Sequence, residues 1–275
     1  MLAGALFAGP LLAGGLHAQT AITPASEQAC PTASMDIGVL PRSIDAIAKS
    51  GEFTIVAFGS SSTAGWMSSD AGHSYPAVMQ AALEQALPHA HVAVVNRGVG
   101  GQDAAEELAR IDSDVAVLRP SLVIWQVGAN GALRHTDPEV FRRLVSNGLD
   151  RLRRARMDVV LMDNQRSPLI MASPEHGKIE ATLATLAREA RVALFSRGSL
   201  MERWKDGGEG YEKFIASDGL HHNDRGYRCL GLALAQSVLG GLKAAQAPVM
   251  VSTALPPTAP RAPAPAPSTA PADNR

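Results

Sequence analysis

The chain has 275 residues, a formal net charge of −1 and 46% hydrophobic residues, which is typical of a globular protein with a sizeable core. Lys and Arg number 25 against 26 Asp and Glu, so the chain lacks the basic excess that binds phosphate backbones. We therefore expect no nucleic-acid partner. Both ends differ in composition from the middle, and the length of the middle predicts one folded domain.

The ends of the chain are predicted to lie outside that domain. Residues 1–18 are apolar and small, which is typical of a signal peptide, although a buried N-terminal helix is an alternative. Residues 19–45 are predicted to be a lead-in segment, residues 46–245 the domain, and the Pro/Ala-rich residues 246–275 a disordered tail. We therefore expect a periplasmic or secreted protein with no stable membrane span after processing.

Two cysteines occur, Cys30 and Cys229. In an oxidising compartment they can form one disulfide, but burial as a small apolar residue is an equally reasonable role for Cys229. Neither a CxxC pair nor a Cys/His ligand set is present, so we predict no metal site.

The middle of the chain alternates short runs of β-branched residues with longer segments of helical period. The predicted strands are Thr54–Phe58, Val92–Val95, Leu122–Val127, Val159–Met162 and Val192–Phe195. The predicted helices are Tyr75–Leu87, Ala104–Ile111, Pro138–Arg154, Pro174–Glu189 and Asn223–Leu242. This alternation predicts an α/β fold, a three-layer α/β/α sandwich with a five-stranded parallel sheet and ligands at the carboxyl ends of its strands.

Small polar residues follow the first predicted strand. The sequence FGSSSTAG, from Phe58 to Gly65, places Ser60, Ser61 and Ser62 where a strand turns into a helix. Such a turn can expose one serine beside backbone N–H groups that stabilise negative charge. A capping serine or a phosphate-binding loop is the alternative, but the Gly-Lys-Ser/Thr of a P-loop is absent.

Two glycine-rich turns follow the second and third predicted strands. The first, NRGVGGQD, contains Gly101, whose N–H a ligand can approach without side-chain obstruction, and it lacks the spacing of a dinucleotide fingerprint. The second, QVGANG, contains Asn130, whose amide can donate to an oxyanion. An ordinary turn residue is the alternative for Asn130.

The last polar segment, SDGLHHNDRGY at residues 217–227, precedes the final predicted helix. His221 stands three residues after Asp218, a spacing that suits a general base whose tautomer is fixed by a carboxylate. A metal site formed by Asp218, His221 and His222 is disfavoured because adjacent histidines point apart.

Together these four segments resemble, in order, the four sequence blocks of the SGNH/GDSL hydrolases. The resemblance covers most of the predicted domain and implies the flavodoxin-like fold of that family and a serine esterase that needs no cofactor. The matching residues are Ser61, Asp218 and His221 for the catalytic triad, and Ser61, Gly101 and Asn130 for the oxyanion hole.

The chain departs from the family pattern at two positions. Ser60 and Gly131 stand where the family has Asp residues, neither of which belongs to the triad. We expect Ser60 to act as a hydrogen-bonding group of the turn and Gly131 to leave the Asn130 loop looser. Asp at position 60 is expected to raise activity by restoring the brace that the family has there. The G-x-S-x-G elbow of α/β-hydrolases does not occur around Ser61.

The resemblance further implies hydrolysis of short-chain acyl esters, O-acetyl groups above all, on a carbohydrate. Trp66 is predicted to contact substrate by stacking on a sugar or acyl chain, with a partly buried core aromatic as the alternative. Gln165 is predicted to contact substrate by lining the mouth of the site. A polysaccharide O-acyltransferase and a non-catalytic carbohydrate-binding module are the alternatives. We expect a small-molecule or carbohydrate ester as the substrate, and a monomer.

Overall fold

The computed structural model describes residues 29–31 and 34–243. The predicted signal peptide and the predicted tail lie outside these residues. Among the helices described, none combines the length and the apolar character that crossing a bilayer requires.

Five parallel strands form the central sheet in the order β2-β1-β3-β4-β5. The strands are β1 (Glu52–Gly59), β2 (His91–Gly98), β3 (Leu122–Gln126), β4 (Asp158–Met162) and β5 (Ala193–Phe195). This is the flavodoxin-like order, so the predicted fold class is confirmed. The strand order changes direction between β1 and β3, since β2 lies on one side of β1 and the later strands lie on the other. In such sheets ligands bind beyond the carboxyl ends of the strands, at the place where the order changes.

Helices cover both faces of the sheet. They are α1 (Pro41–Ser50), α2 (Ser61–Ala64), α3 (Tyr75–Ala86), α4 (Ala104–Ala109), α5 (Ile111–Asp114), α6 (Ala129–Leu133), α7 (Pro138–Arg154), α8 (Pro168–Ala172), α9 (His176–Ala190), α10 (Arg197–Asp206) and α11 (Asp224–Lys243). Short 3₁₀ turns occur at Ala71–His73, Ala116–Leu118 and Tyr211–Lys213.

Alternate side chains of β1 enter two different cores, because successive residues of a strand point to opposite faces of the sheet. Phe53, Ile55 and Ala57 pack into the core that α3 and α11 cover. Val56 and Phe58 pack into the core that α7 and α9 cover. Burial on both faces explains why β1 reads as a nearly continuous apolar run.

Helix α7 has the predicted bounds. Pro138 occupies its first turn, and the Asp137 carboxylate accepts hydrogen bonds from the N–H groups of Glu139 and Val140. The single helix predicted over residues 104–111 is instead two short helices, because the chain turns at Arg110. Helices α1, α6, α8 and α10 were not predicted.

Part of the predicted lead-in segment packs onto the sheet. Helix α1 begins at Pro41, and Ile37 and Leu40 before it are buried in the core beneath α11. Cys30 forms a disulfide with Cys229 of α11, which is the pairing that the sequence left open. The disulfide and these two apolar side chains fasten the N-terminal segment to the last helix.

Candidate active site

The candidate nucleophile lies at the start of α2, directly after β1. Ser60 and Ser62 are each only 2% exposed, whereas Ser61 is half-buried. The turn needs glycine at position 59, since a Cβ there would lie 2.6 Å from the Gln126 carbonyl oxygen. Of the three consecutive serines, Ser61 is therefore the one whose side chain is open to solvent, in agreement with its position in the sequence pattern.

Ser61, His221 and Asp218 form a continuous chain of hydrogen bonds. Ser61 Oγ lies 2.7 Å from His221 Nε2, and His221 Nδ1 lies 2.5 Å from Asp218 Oδ2. Because an ionised carboxylate only accepts hydrogen bonds, Nδ1 carries the proton of the neutral ring and Nε2 accepts from the serine hydroxyl. This is the geometry in which an imidazole can remove a serine proton.

The Asp218 carboxylate is held by its own loop. Its Oδ1 accepts hydrogen bonds from the N–H groups of Leu220 at 2.9 Å and His221 at 3.0 Å. Partial burial acts to raise the pKa of Asp218, but the hydrogen bonds from the His221 ring and from these N–H groups outweigh it and lower the pKa below its ordinary value. Asp218 therefore stays ionised at neutral pH and can stabilise a protonated His221.

The predicted oxyanion donors lie on three neighbouring loops at the carboxyl edge of the sheet. Within the described residues, the N–H groups of Ser61 and Gly101 donate to no other protein group. Asn130 Nδ2 donates to the carbonyl of Gln102 at 2.7 Å, which uses one of its two amide hydrogens. Gly101 has φ +78°, in the left-handed region that favours glycine.

Two arginines fix the loops that carry these donors. Arg134 donates to the carbonyl of Gly101 at 2.7 Å and to the carboxylate of Asp103 at 2.7 Å. Arg110 donates to the carbonyl of Gly59 at 2.9 Å. The backbone on both sides of the site is thus held by charged side chains, and such hydrogen bonds are stronger than those between neutral groups.

Gln126, the last residue of β3, braces the turn that carries Ser61. Its Oε1 accepts hydrogen bonds from Ser60 N–H at 3.1 Å, from Ser60 Oγ at 3.1 Å and from Thr63 Oγ1 at 3.2 Å. Ser60 therefore acts as a hydrogen-bonding group of the turn, as predicted, but its bonds go to Gln126 of β3 and not to the turn itself. Its acceptor was not predicted, because Gln126 reaches this position only through the pairing of β1 with β3.

The end of β2 packs closely on α2. Asn96 Nδ2 donates to the carbonyl of Thr63 at 2.8 Å. A Cβ at position 98 would lie 2.1 Å from the backbone nitrogen of Ala64, so only glycine fits there. The two contacts hold α2 from the side opposite Gln126.

The loop at Gly131, which we expect to be looser than in the family, is held by other hydrogen bonds. Its carbonyl accepts a hydrogen bond from Thr136 N–H at 2.8 Å. The next carbonyl, that of Ala132, accepts one from Ser173 Oγ at 2.7 Å. Helix α6 is therefore held by other bonds where the family has an Asp.

The two predicted substrate contacts lie in different surroundings. Trp66 is 59% exposed, and its ring centroid lies 6.5 Å from that of His221, so it borders the site as predicted and is no core aromatic. Gln165 is 1% exposed, and its Nε2 donates to the carbonyl of Leu220 at 2.8 Å. This corrects its expected place: Gln165 does not line the mouth but supports the loop of Asp218 and His221.

His222 is directed away from His221. It is fully buried, and its Nδ1 lies 3.0 Å from the carbonyl of Phe214, to which it donates. Burial lowers the pKa of His222 to about 3, with the positive charge of Arg197 as a further cause. Across residues 29–31 and 34–243, no group of three or more His, Cys, Asp or Glu is arranged to hold a metal ion.

Comparison with known proteins identifies a family for this chain. The sequence profile of the non-GDSL lipase-like family matches residues 28–244. No curated protein is similar enough to count as a relative.

Solved structures of similar fold include three hydrolases. A G-D-S-L family lipolytic protein from Desulfitobacterium hafniense DCB-2 is 20% identical, with a TM-score of 0.56 over 67% of this chain and 98% of that protein. A two-domain esterase active on acetylated mannans is 21% identical, with a TM-score of 0.63 over 76% of this chain and 55% of the esterase. An acetyl xylan esterase is 20% identical, with a TM-score of 0.58 over 68% of this chain and all of that enzyme (100%). At these identities the likeness establishes the fold.

Proposed function

Because the chain belongs to the non-GDSL lipase-like family and is a hydrolase of ester bonds, we propose that it is an exported serine esterase that removes short acyl groups, O-acetyl above all, from carbohydrates. Ser61 is the nucleophile, His221 is the general base, and Asp218 is the carboxylate that orients the His221 ring. The observation that carries this assignment is the hydrogen-bond chain of 2.7 Å and 2.5 Å that joins the three side chains.

The reaction begins when Ser61 Oγ attacks the acyl carbon and His221 Nε2 takes its proton. The charged Asp218 stabilises the imidazolium that forms. Negative charge that develops on the acyl oxygen is stabilised by the N–H groups of Ser61 and Gly101 and by the Asn130 amide, each contributing on the order of a hundredfold in rate.

His221 then gives its proton to the departing alcohol oxygen, and the acyl group remains on Ser61. A water molecule attacks this acyl-enzyme while His221 again acts as base, which releases the acid and restores the serine hydroxyl. The side chains required for each proton transfer are thus present on the chain itself.

The carbohydrate part of the proposal has two supports. Trp66 presents an exposed aromatic face at the site, a surface suited to the apolar face of a sugar ring. Two of the enzymes that share the fold are, by description, active on acetylated mannans or acetylated xylan.

Export is supported by the apolar residues 1–18 and by the disulfide between Cys30 and Cys229, since disulfides persist in oxidising compartments. Mass spectrometry of protein from the producing cell checks this part. We expect a mature N-terminus close to residue 19, and an intact N-terminus in the cytoplasm would contradict export.

Acetate release from acetylated xylan and acetylated mannan tests the activity directly. The wild-type enzyme should release acetate, and Ser61→Ala should lower the rate by several orders of magnitude while leaving the protein folded. The control is Ser62→Ala, which removes a buried hydroxyl from the same turn. Equal loss in both variants would contradict the assignment of Ser61.

A further inference from the structure

The side chain of Trp66 is exposed, yet its backbone is firmly held. Its N–H donates to the carbonyl of Ser61 at 2.9 Å. Its carbonyl accepts a hydrogen bond of 2.8 Å from the hydroxyl of Tyr227, a buried residue of α11. Two residues beyond Met67, the N–H of Ser69 donates to the carboxylate of Asp224 at 2.8 Å. The segment is therefore tied to the start of α11 at two points.

The residue after Trp66 adopts an unfavourable backbone conformation. Met67 has φ +68°, in the left-handed region that non-glycine residues seldom enter. Strain of this kind persists only where surrounding contacts impose it, and it is concentrated at functional sites. Here the imposed turn keeps the Trp66 ring at the rim of the site, beside His221.

Trp66 also adjoins the loop of the oxyanion donors. A Cβ at position 100 would lie 4.0 Å from its ring, and Val99, like Met67, is an exposed apolar residue. We call Trp66, Met67 and Val99 the Trp66 platform. Exposed apolar side chains that are grouped beside a reactive centre and pre-organised by hydrogen bonds are typical of a ligand-binding surface.

The transfer of a proton from His221 to the departing alcohol indicates which part of the substrate contacts this platform. The departing alcohol oxygen must receive its proton from His221 Nε2, so the alcohol lies on the His221 side of the acyl carbon. Trp66 is the exposed aromatic residue whose ring lies next to that of His221.

We propose that the Trp66 platform binds the alcohol portion of the ester, a pyranose ring, and sets specificity for the alcohol but not for the acyl chain. Tyr227 is a positioning residue that holds the platform through the Trp66 carbonyl. This inference rests on the proposed function of the site. It has a kinetic consequence: since the alcohol leaves on acylation, the platform affects kcat/KM, whereas hydrolysis of the acyl-enzyme is independent of it.

Two series of substrates test the proposal. In the first the acyl group is constant, with a methyl pyranoside monoacetate compared with ethyl acetate. In the second the alcohol is constant, with p-nitrophenyl acetate compared with p-nitrophenyl butyrate. Trp66→Ala should lower the kcat/KM for the pyranoside acetate relative to that for ethyl acetate about tenfold or more, because the indole no longer contacts the sugar ring. The kcat/KM for p-nitrophenyl acetate relative to that for p-nitrophenyl butyrate should stay unchanged.

Two further variants separate positioning from general damage. Tyr227→Phe removes only the hydroxyl and should lower the ratio of the first series by a smaller factor than Trp66→Ala does. Trp66→Phe should recover part of the ratio that Trp66→Ala loses. The control is Val117→Ala, which truncates an exposed apolar side chain in the turn before β3 and should leave both ratios unchanged.

The proposal is overturned if Trp66→Ala changes the acyl ratio and not the alcohol ratio, or if it changes neither. Failure of the underlying function gives a different result, because wild-type enzyme would then hydrolyse none of the four esters. An unchanged alcohol ratio in Tyr227→Phe, with Trp66→Ala effective, would overturn the positioning role alone.

Discussion

Replacing Gln126 by Leu should weaken both the fold and the reaction. The change keeps a buried side chain of similar size but removes the oxygen that accepts from Ser60 N–H, Ser60 Oγ and Thr63 Oγ1. The Ser60 N–H is then left without a partner in a buried turn, while the Thr63 hydroxyl keeps its contact with Tyr75 at 3.1 Å. An unsatisfied buried donor costs about 1–3 kcal/mol, but the change also removes the Nε2 of Gln126, which is buried without a hydrogen-bond partner among the described residues. We therefore expect a net loss of about 1–2 kcal/mol in the free energy of unfolding.

The effect on catalysis follows from the position of the turn. Ser61 comes immediately after Ser60, so a shift of the unbraced turn moves Oγ away from His221 Nε2. A misplacement of about 1 Å is worth about a hundredfold in rate. Urea unfolding gives the stability, and kcat/KM for p-nitrophenyl acetate together with the rate of fluorophosphonate labelling gives the reactivity of the serine.

Gln80→Leu is a matched control. Gln80 Oε1 accepts a hydrogen bond of 2.9 Å from the N–H of Val94, on the α3 side of β2 and away from Ser61. This variant should lose stability but keep kcat/KM within about twofold of wild type. If Gln126→Leu also loses stability and keeps its labelling rate, the brace is purely structural and the reasoning above is wrong.

Three other changes test separate parts of the structure. Ser60→Asp should lower both stability and esterase activity, because its carboxylate would face the amide oxygen of Gln126 in a buried turn. This is contrary to the expectation from the family pattern, and higher activity of the variant would contradict it. His222→Asn should remove a loss of stability that wild type suffers in acid. The ring has a pKa of about 3 when folded and about 6.5 when unfolded, so the unfolded state binds the proton first as pH falls below 6.5. Urea unfolding at pH 6.5 and at pH 4.5 should therefore show that wild type loses about 2 kcal/mol more stability than the variant between these two pH values. An equal pH effect in both proteins would show that this histidine is not buried in its neutral form. Replacing Cys30 and Cys229 by Ser should destabilise the protein by up to about 5 kcal/mol, since the bond links residues 199 positions apart, and an unchanged melting temperature would contradict this.

The sequence was sufficient to predict the fold and the residues that meet in the candidate active site. Strands alternating with helices indicate a parallel sheet, and the carboxyl ends of parallel strands meet at one edge. Ser61 and Asn130 follow two such strands, so their proximity follows from the topology. His221 and Asp218 are close in sequence, and their contact depends on one local turn.

The supporting contacts could not be predicted in the same way. Gln126 and Gln165 are polar residues at strand ends, where an exposed ligand contact is as reasonable as a buried brace. Gln126 accepts from donors in the Ser60 turn and Gln165 donates to the carbonyl of Leu220, and both partners are distant in sequence. Only the packing of the loops decides which of the two roles each side chain takes.

The predicted strand boundaries show the same limit. The second strand was expected to end at Val95, because Asn96-Arg97-Gly98 resembles the start of a turn. In the structure it continues to Gly98, paired with β1 along its whole length. The Asn96 side chain keeps the local hydrogen bond that is typical of a turn, accepting from Gly98 N–H at 2.9 Å, and it also donates to the carbonyl of Thr63 in α2.

Labelling with a fluorophosphonate probe, followed by peptide mapping, tests the central claim most directly, since the probe reports an activated serine without any assumption about substrate. Wild type, Ser60→Ala and Ser62→Ala should each carry the label on Ser61, and Ser61→Ala should carry none. A label on Ser60 or Ser62, or undiminished labelling of folded Ser61→Ala, would contradict the assignment of Ser61 as nucleophile.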